Sequence, residues 1–425
     1  MKRIALLWLC MVMLLPMSAQ IRGNNIVISV QPDHKDWNYK IGEKATFTVS
    51  VLKSNTLLDH VQVDLEAGPV MYPDIRKKDI TLKEGTLTWS GTLRTPGFYR
   101  LKVTAHVDGK DYEGLCTVGF SPERIQSKVV NPSDFDTFWQ GALDQARLVD
   151  LDPTRTLISE RCTKDVNVYE VSFRNGNQGR VFGILCMPVK AGKYPALLRV
   201  PGAGVRPYSG DIWTASQGAI TLEIGIHEIP VTLPQSVYDR LQEGALNGYW
   251  AFNINDRDQC YYKHVLTGAI RAIDYIASLP EWNGTSLGVT GSSQGGMLSL
   301  VCGALDKRVT FIGVVHDAMC DHTASLEGVA CGWPHYFYQV KHPDPKKVET
   351  SRYYDGINFA KRVKCPGWYS FGYNDEVVPP TSSYATYNSV TAPKTLSVYP
   401  QTGHYWYQEQ WDEWENWLLK QMGLR

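Results

Sequence analysis

Past residue 20 the sequence has no apolar run near the roughly eighteen residues that a helical membrane span needs, so no such span is expected in the mature chain. An excess of one charge is also missing: 43 Lys and Arg stand against 43 Asp and Glu. A nucleic-acid binder neutralises phosphates with a basic surface, so this balance argues against that class. There is no CxxC pair among Cys116, Cys162, Cys186, Cys260, Cys302, Cys320, Cys331 and Cys365, and neither a zinc site nor a dense disulfide framework is expected. Cys320 with Cys331 is one conceivable disulfide, and buried free thiols are the plainer alternative. No internal repeat or low-complexity tract stands out.

What is present suits an exported two-domain protein. At 425 residues the chain exceeds one ordinary core. Its N-terminus, "MKRIALLWLCMVMLLPMSAQ", sets Lys2 and Arg3 before an apolar run that closes on Ser18 and Ala19. That order predicts a secretory signal peptide over residues 1–19, and with it a periplasmic or secreted protein. The aromatic load is high, with 13 Trp and 23 Tyr. Most suit core packing, and a minority would suit a groove for sugars or acyl groups.

Residues 20–122 follow a period of two. In "KATFTVSVL" Ala45, Phe47, Val49 and Val51 alternate with polar residues, as do Tyr99, Leu101, Val103, Ala105 and Val107 in "GFYRLKVTAHV". Short runs of this kind, separated by turn residues, predict an all-β immunoglobulin-like sandwich with no titratable cluster, serving as a spacer or a sugar-facing module. Residues 123–425 read differently. "NPSDFDTFWQGALDQA" offers Ser133 as a helix N-cap ahead of an apolar face of Phe135, Phe138, Trp139, Ala142, Leu143 and Ala146. Apolar runs then alternate with helical patterns, "VFGILCMPV", "PALLRV", "AITLEI", "SLGVT", "FIGVV", "GWYSFGY" and "TLSVYP" among them. This alternation predicts a mostly parallel sheet with helices on both faces.

One motif carries chemistry. Gly291-Ser292-Ser293-Gln294-Gly295 follows the apolar strand "SLGVT" and opens the apolar helix "MLSLVCGAL". A bare G-x-S-x-G is weak, but strand, turn and helix together are the setting of an α/β-hydrolase nucleophile elbow, with Ser293 thrust out at the strand end. A serine hydroxyl needs a base, and the base needs a third group to fix its tautomer. In this fold the order is Ser, Asp or Glu, His. Asp375, after "GWYSFGY", and His404, after "TLSVYP", supply it from loops at strand C-termini. Glu376, Asp317 and Asp321 compete for the acid, and His316, His322 and His227 for the base. For the oxyanion, the backbone N–H of Gln294 and that of Ala203, in "LLRVPGAGVRP", are the candidate donors.

From residue 121 onward the chain resembles the acetyl xylan esterase and cephalosporin C deacetylase group, carbohydrate esterase family 7. The resemblance lies in "NPSDFDTFWQGAL", "DRDQCYYKHVLTGAIRAIDYIASLP", "GVTGSSQGG", "YYDGINFAKRVKCPGWYSFGYNDEVVPPTSSYATYN" and "VYPQTGH". It implies an α/β-hydrolase fold, a Ser293–Asp375–His404 triad, and removal of acetyl groups from acetylated xylan or related oligosaccharides, with no metal or other cofactor. The family's usual hexameric ring would make the protein a homo-oligomer. Four features depart from the family pattern: "PGAG" replaces a His-Gly-Tyr-Gly stretch, "EIGIHEIP" replaces an Arg-Gly-Gln stretch, Tyr405 replaces a Glu, and the N-terminal sandwich is additional. Other readings are an esterase for larger acyl groups such as feruloyl, a serine peptidase, and a non-catalytic glycan binder.

Overall fold

The computed structural model describes residues 25–176 and 179–425; the expected signal peptide lies outside them. Strands β1 (Ile26–Pro32), β2 (Asn38–Tyr39), β3 (Ala45–Lys53), β4 (Thr56–Leu57), β5 (Val61–Pro69), β6 (Ile75–Leu82), β7 (Thr86–Gly91), β8 (Gly97–Val107) and β9 (Lys110–Phe120) come first. They form two sheets, one in the order β1-β3-β4 with β7 also on β3, the other β2-β9-β8-β5-β6. The period of two is realised: Ala45, Phe47, Val49 and Val51 are fully buried with Leu101, Val103 and Ala105 in one shared core. Their polar neighbours face outward, as alternation on a pleated strand requires. The strand β2 pairs with β9 only at Gly119 and Phe120, so the rest of that edge of β9 is left to other partners.

The second unit is built on a nine-stranded sheet in the order β10-β11-β12-β14-β13-β15-β16-β17-β18. Its strands are β10 (Thr154–Leu157), β11 (Val166–Asn175), β12 (Gly179–Pro188), β13 (Tyr194–Arg199), β14 (Ile220–Ile224), β15 (Trp282–Ser292), β16 (Phe311–Val315), β17 (Gly367–Phe371) and β18 (Lys394–Val398). The pairs from β14 through β18 are parallel and those from β10 through β14 antiparallel. The exposed β10 and the β11 strand beside it are not among the runs singled out above. The helix Tyr261–Ser278 buries Leu266, Ala269, Ile270, Ile273 and Ile276, the face that its three- and four-residue spacing predicts. On the helix Phe135–Arg147, Phe135, Trp139, Leu143 and Ala146 are buried.

Two expectations are corrected here or settled. The N-cap of Phe135–Arg147 is Asp134, not Ser133, and it makes no side-chain cap bond. Its carboxylate is instead taken by Arg257, at 2.7 Å, and by the Tyr353 hydroxyl. Cys320 and Cys331 are both free thiols, as are the six other cysteines among the described residues. No described helix is long and apolar enough to cross a membrane.

Parallel pairing fixes where the site falls. Thr290 sits opposite Arg199, Ser292 opposite Val315, Val315 opposite Ser370, and Phe371 opposite Val398. The loops that follow β13, β15, β16, β17 and β18 therefore leave from one edge of the sheet.

Candidate active site

The strand β15 ends at Ser292 and the helix Gln294–Leu305 follows at once, so Ser293 alone makes the turn. Its backbone stands at φ 61° and ψ −123°, a region that non-glycine residues rarely occupy. Crowding holds it there. A Cβ added at Gly291 would lie 2.4 Å from the Val200 carbonyl oxygen, and one at Gly295 would lie 2.4 Å from the same atom. Backbone bonds complete the lock: the Ser293 N–H donates to Val315 O (2.9 Å), and the Ser293 carbonyl accepts from Gly296 (2.9 Å) and Ala318 (3.1 Å). Gly295→Ala is expected to destabilise the protein by about 1–3 kcal/mol, because rigid backbone must move. Urea unfolding checks this, and an unchanged midpoint would mean that the turn yields freely.

Asp375 and His404 meet. The His404 Nδ1–H donates to Asp375 Oδ2 at 2.8 Å. Asp375 is fully buried, and its other oxygen accepts from the Val377 and Val378 N–H groups, both at 2.8 Å. Burial alone would push the Asp375 carboxyl up; the His316 and His404 imidazoles outweigh it and hold the group well below the usual carboxylate range. An ionised Asp375 fixes the proton of His404 on Nδ1 and leaves Nε2 as the basic nitrogen. Among the described residues, no hydrogen bond joins the His404 ring to Ser293 Oγ. Both residues stand half-buried at the same sheet edge, where a bound ester would come between solvent and protein.

The loop after β13 lies against the elbow. A Cβ placed on Gly202 would be 3.8 Å from the Ser293 Cβ and 3.2 Å from Ser292 O. The Ala203 N–H thus belongs to the segment beside the serine, and the Gln294 N–H is one of the donors that a helix start leaves without an intrahelical partner. A buried network joins the two. The Gly204 N–H donates to the Tyr249 hydroxyl (3.1 Å), and Tyr249 and Tyr262 donate to Gln294 Oε1 (2.9 and 2.7 Å). Gln294 Nε2 in turn donates to Pro201 O (3.2 Å). Nothing in the local sequence around Tyr249 or Tyr262 marks them, because their partners lie far away in the chain.

Among the competing residues, Glu376, Asp321 and His227 have other work. Glu376 faces the first unit, 3.5 Å from Lys102 and 3.8 Å from Arg100. Asp321 accepts from Ser127, Lys128 and Val129, which ties down the segment between the two units. Asp317 is buried, which pushes its carboxyl up to about 6. His227 donates from Nε2 to Gly204 O (3.0 Å) and accepts at Nδ1 from the Tyr261 hydroxyl (2.6 Å), so it braces the loop carrying Ala203. The His322 side chain is fully buried away from solvent. His316 is closest to the site: its Nδ1 lies 3.4 Å from Asp375 Oδ2, an ion-pair distance without hydrogen-bond alignment.

His316, Asp375 and His404 also hold ligand atoms within 4.8 Å of one another, close enough for a metal ion. A metal on His404 Nδ1 would displace the proton that binds Asp375, so the two uses exclude each other. The cavity beside the elbow, about 450 Å³, is lined by Arg199, Gly202, Arg206, Tyr208 and Ser292. A larger cavity, about 910 Å³ around Val130, Arg257 and Tyr353, includes none of the predicted site residues.

A strained serine at a strand–helix turn, an imidazole oriented by a buried carboxylate and two candidate N–H donors together can perform acyl transfer. The family model described as "Acetyl xylan esterase (AXE1)" matches residues 123–421. The chain belongs to that family. It is therefore a carboxylic ester hydrolase on an α/β-hydrolase fold. "Acetyl esterase Axe7A" of Xylanibacter ruminicola is 38% identical over 397 residues, covering 92% of this chain and 90% of that protein. The solved acetyl xylan esterase from Paenibacillus sp. R4 is 26% identical with a TM-score of 0.62, covering 70% of this chain and 98% of its own. Acetyl xylan esterase 1 from Thermoanaerobacterium sp. JW/SL YS485 is 26% identical with a TM-score of 0.61, covering 71% and 97%. The β1–β9 sandwich lies outside the family match.

Proposed function

We propose that this member of the acetyl xylan esterase family is an exported serine esterase that removes O-acetyl groups from acetylated xylan or related oligosaccharides, with Ser293, His404 and Asp375 as its triad. The observation that carries the mechanism is the 2.8 Å bond from His404 Nδ1 to a buried, doubly held Asp375 at the edge where Ser293 emerges. Ser293 Oγ attacks the ester carbonyl while His404 Nε2 takes its proton. The carbonyl oxygen becomes an oxyanion facing the N–H groups of Gln294 and Ala203. The carbon–oxygen bond to the sugar then breaks, and the leaving alcohol takes the proton from His404. Water, deprotonated by the same nitrogen, attacks the acetyl-serine; acetate leaves and Ser293 recovers its proton.

The acetyl and sugar specificity is supported by the family and by a relative named an acetyl esterase. Export is supported by residues 1–19. The strand order of the first unit, β1-β3-β7 against β2-β9-β8-β5-β6, supports its reading as an immunoglobulin-like domain over residues 20–122. The test is a panel in which acetylated xylo-oligosaccharides, feruloylated xylo-oligosaccharides and unblocked peptides are offered to the same preparation. Acetate release well above ferulate or amine release is expected. Dominant ferulate release would assign a larger acyl pocket, and dominant amine release a peptidase.

A further inference from the structure

The acid loop is not held by the hydrolase alone. It runs from Tyr373 to Glu376, just beyond β17, and the first unit grips it at each residue. Arg100, on β8, sends its guanidinium into the loop: Nη2 donates to the carbonyls of Asp375 (2.8 Å) and Tyr373 (3.3 Å). Its Nε donates to Thr117 Oγ1 (2.7 Å), which fixes the fork on its own sheet. Arg100 Nη1 lies 3.8 Å from Glu376, and Lys102, two residues along the same strand, lies 3.5 Å from it. The side chain of Arg100 is only 14% exposed. A guanidinium so placed must have its N–H groups satisfied, and backbone carbonyls of the acid loop are what satisfy it.

Asn374 completes the grip from the other side. Its Oδ1 accepts from the Thr117 N–H (2.9 Å), and its Nδ2 reaches Leu115 O (3.5 Å). These are groups on the edge of β9 that the two-residue β2 leaves uncovered. The side-chain amide thus extends the ladder where a strand would otherwise pair. The Tyr373 ring packs edge-on against Phe98 (4.8 Å between centroids), and its hydroxyl donates to Asn38 Oδ1 (3.0 Å). A second contact lies nearby: the Tyr338 hydroxyl donates to Met71 O (2.8 Å), in the loop after β5.

We propose that the N-terminal sandwich is a working part of the active site and that Arg100 is its positioning residue, setting the place of Asp375 and through it the orientation of His404. The proposal rests on Asp375 being the triad acid. Arg100 touches no substrate; it acts through the backbone that carries the carboxylate. An Arg suits the task because one planar fork reaches Asp375 O, Tyr373 O and Thr117 Oγ1 together, which a lysine ammonium cannot do from one position.

The experiment uses the full-length protein with 4-nitrophenyl acetate and acetylated xylo-oligosaccharides. Arg100→Ala is expected to lower kcat by about 10- to 100-fold, the size that a misplacement of about 1 Å produces, with KM within about twofold. Millimolar guanidinium should restore part of kcat to Arg100→Ala and nothing to the wild type, and Arg100→Lys should fall between the two. Asn374→Leu, which leaves Arg100 in place and removes the amide, should show the same kcat-only loss and decides the matter if Arg100→Ala does not fold. Arg76→Ala, which opens an ion pair with Glu66 elsewhere on the sandwich, is the silent control. A folded Arg100→Ala or Asn374→Leu within about twofold of wild-type kcat overturns the proposal. So does a loss that raises KM alongside and ignores guanidinium, since that describes a merely structural side chain. Asp375→Asn is assayed beside them: near-normal turnover there would fail the triad assignment itself, a result separable from failure of the brace.

Discussion

Ser293→Ala is expected to lower kcat for acetate release by about a millionfold, the loss seen when the nucleophile of such a triad is removed alone. The size follows from covalent catalysis. Without Oγ there is no acyl-enzyme, and water must attack directly in a site shaped around the serine. What survives is the contribution of the oxyanion donors and of binding, roughly a thousandfold or more over the uncatalysed rate. The substitution itself is mild. It removes one oxygen from a half-buried side chain and leaves the backbone bonds of the turn to Val315, Gly296 and Ala318 intact. Melting temperature and KM should therefore hold while kcat collapses. Acetate release equal to that of the wild type would sink the mechanism and require a different nucleophile for the hydrolysis.

Asp375→Asn is expected to cost about ten-thousandfold in kcat. Asparagine fills the same space, and one of its faces can still meet the Val377 and Val378 N–H groups. The change is electronic. A neutral amide does not stabilise the imidazolium that forms when His404 takes the proton, and an amide N–H turned toward Nδ1 would favour the wrong tautomer. His316 adds a distinguishing feature, since a second imidazole lies 3.4 Å from the same carboxylate oxygen. Loss of the negative charge removes the shared carboxylate that both rings face. Near-normal turnover in this variant would pass the role to Asp317, whose carboxyl burial pushes up to about 6, or to Glu376.

Much of this architecture is legible in one dimension because its causes are local. Alternation in β3 and β8 is visible since one face of each strand is dry and the other wet. The elbow is legible because strand, Gly291, Ser293, Gly295 and helix are consecutive in the chain, although the Val200 carbonyl that crowds both glycines lies far back in the sequence. The chain order of Asp375 and His404 follows from which strands end at the shared edge. What escapes is whatever depends on a distant partner. Ser133 matches the capping pattern, but the true cap residue, Asp134, is committed to Arg257 and Tyr353, more than a hundred residues on. The strand β10 is exposed along its whole length, so no apolar signal announces it. The first unit reads as a spacer because Arg100 and Asp375 are 275 positions apart, and only the folded chain brings them together.

Asn374 touches two bodies beyond its own loop. Besides Thr117 and Leu115 of the sandwich, its amide reaches the carbonyl of Gln401, at 3.4 Å, in the loop that leads to His404. The proposed acid and base thus share a single anchor. A small tilt of the sandwich would carry both loops the same way, and their separation would change far less than the position of either. Two parts referenced to one datum keep their alignment even when the datum drifts.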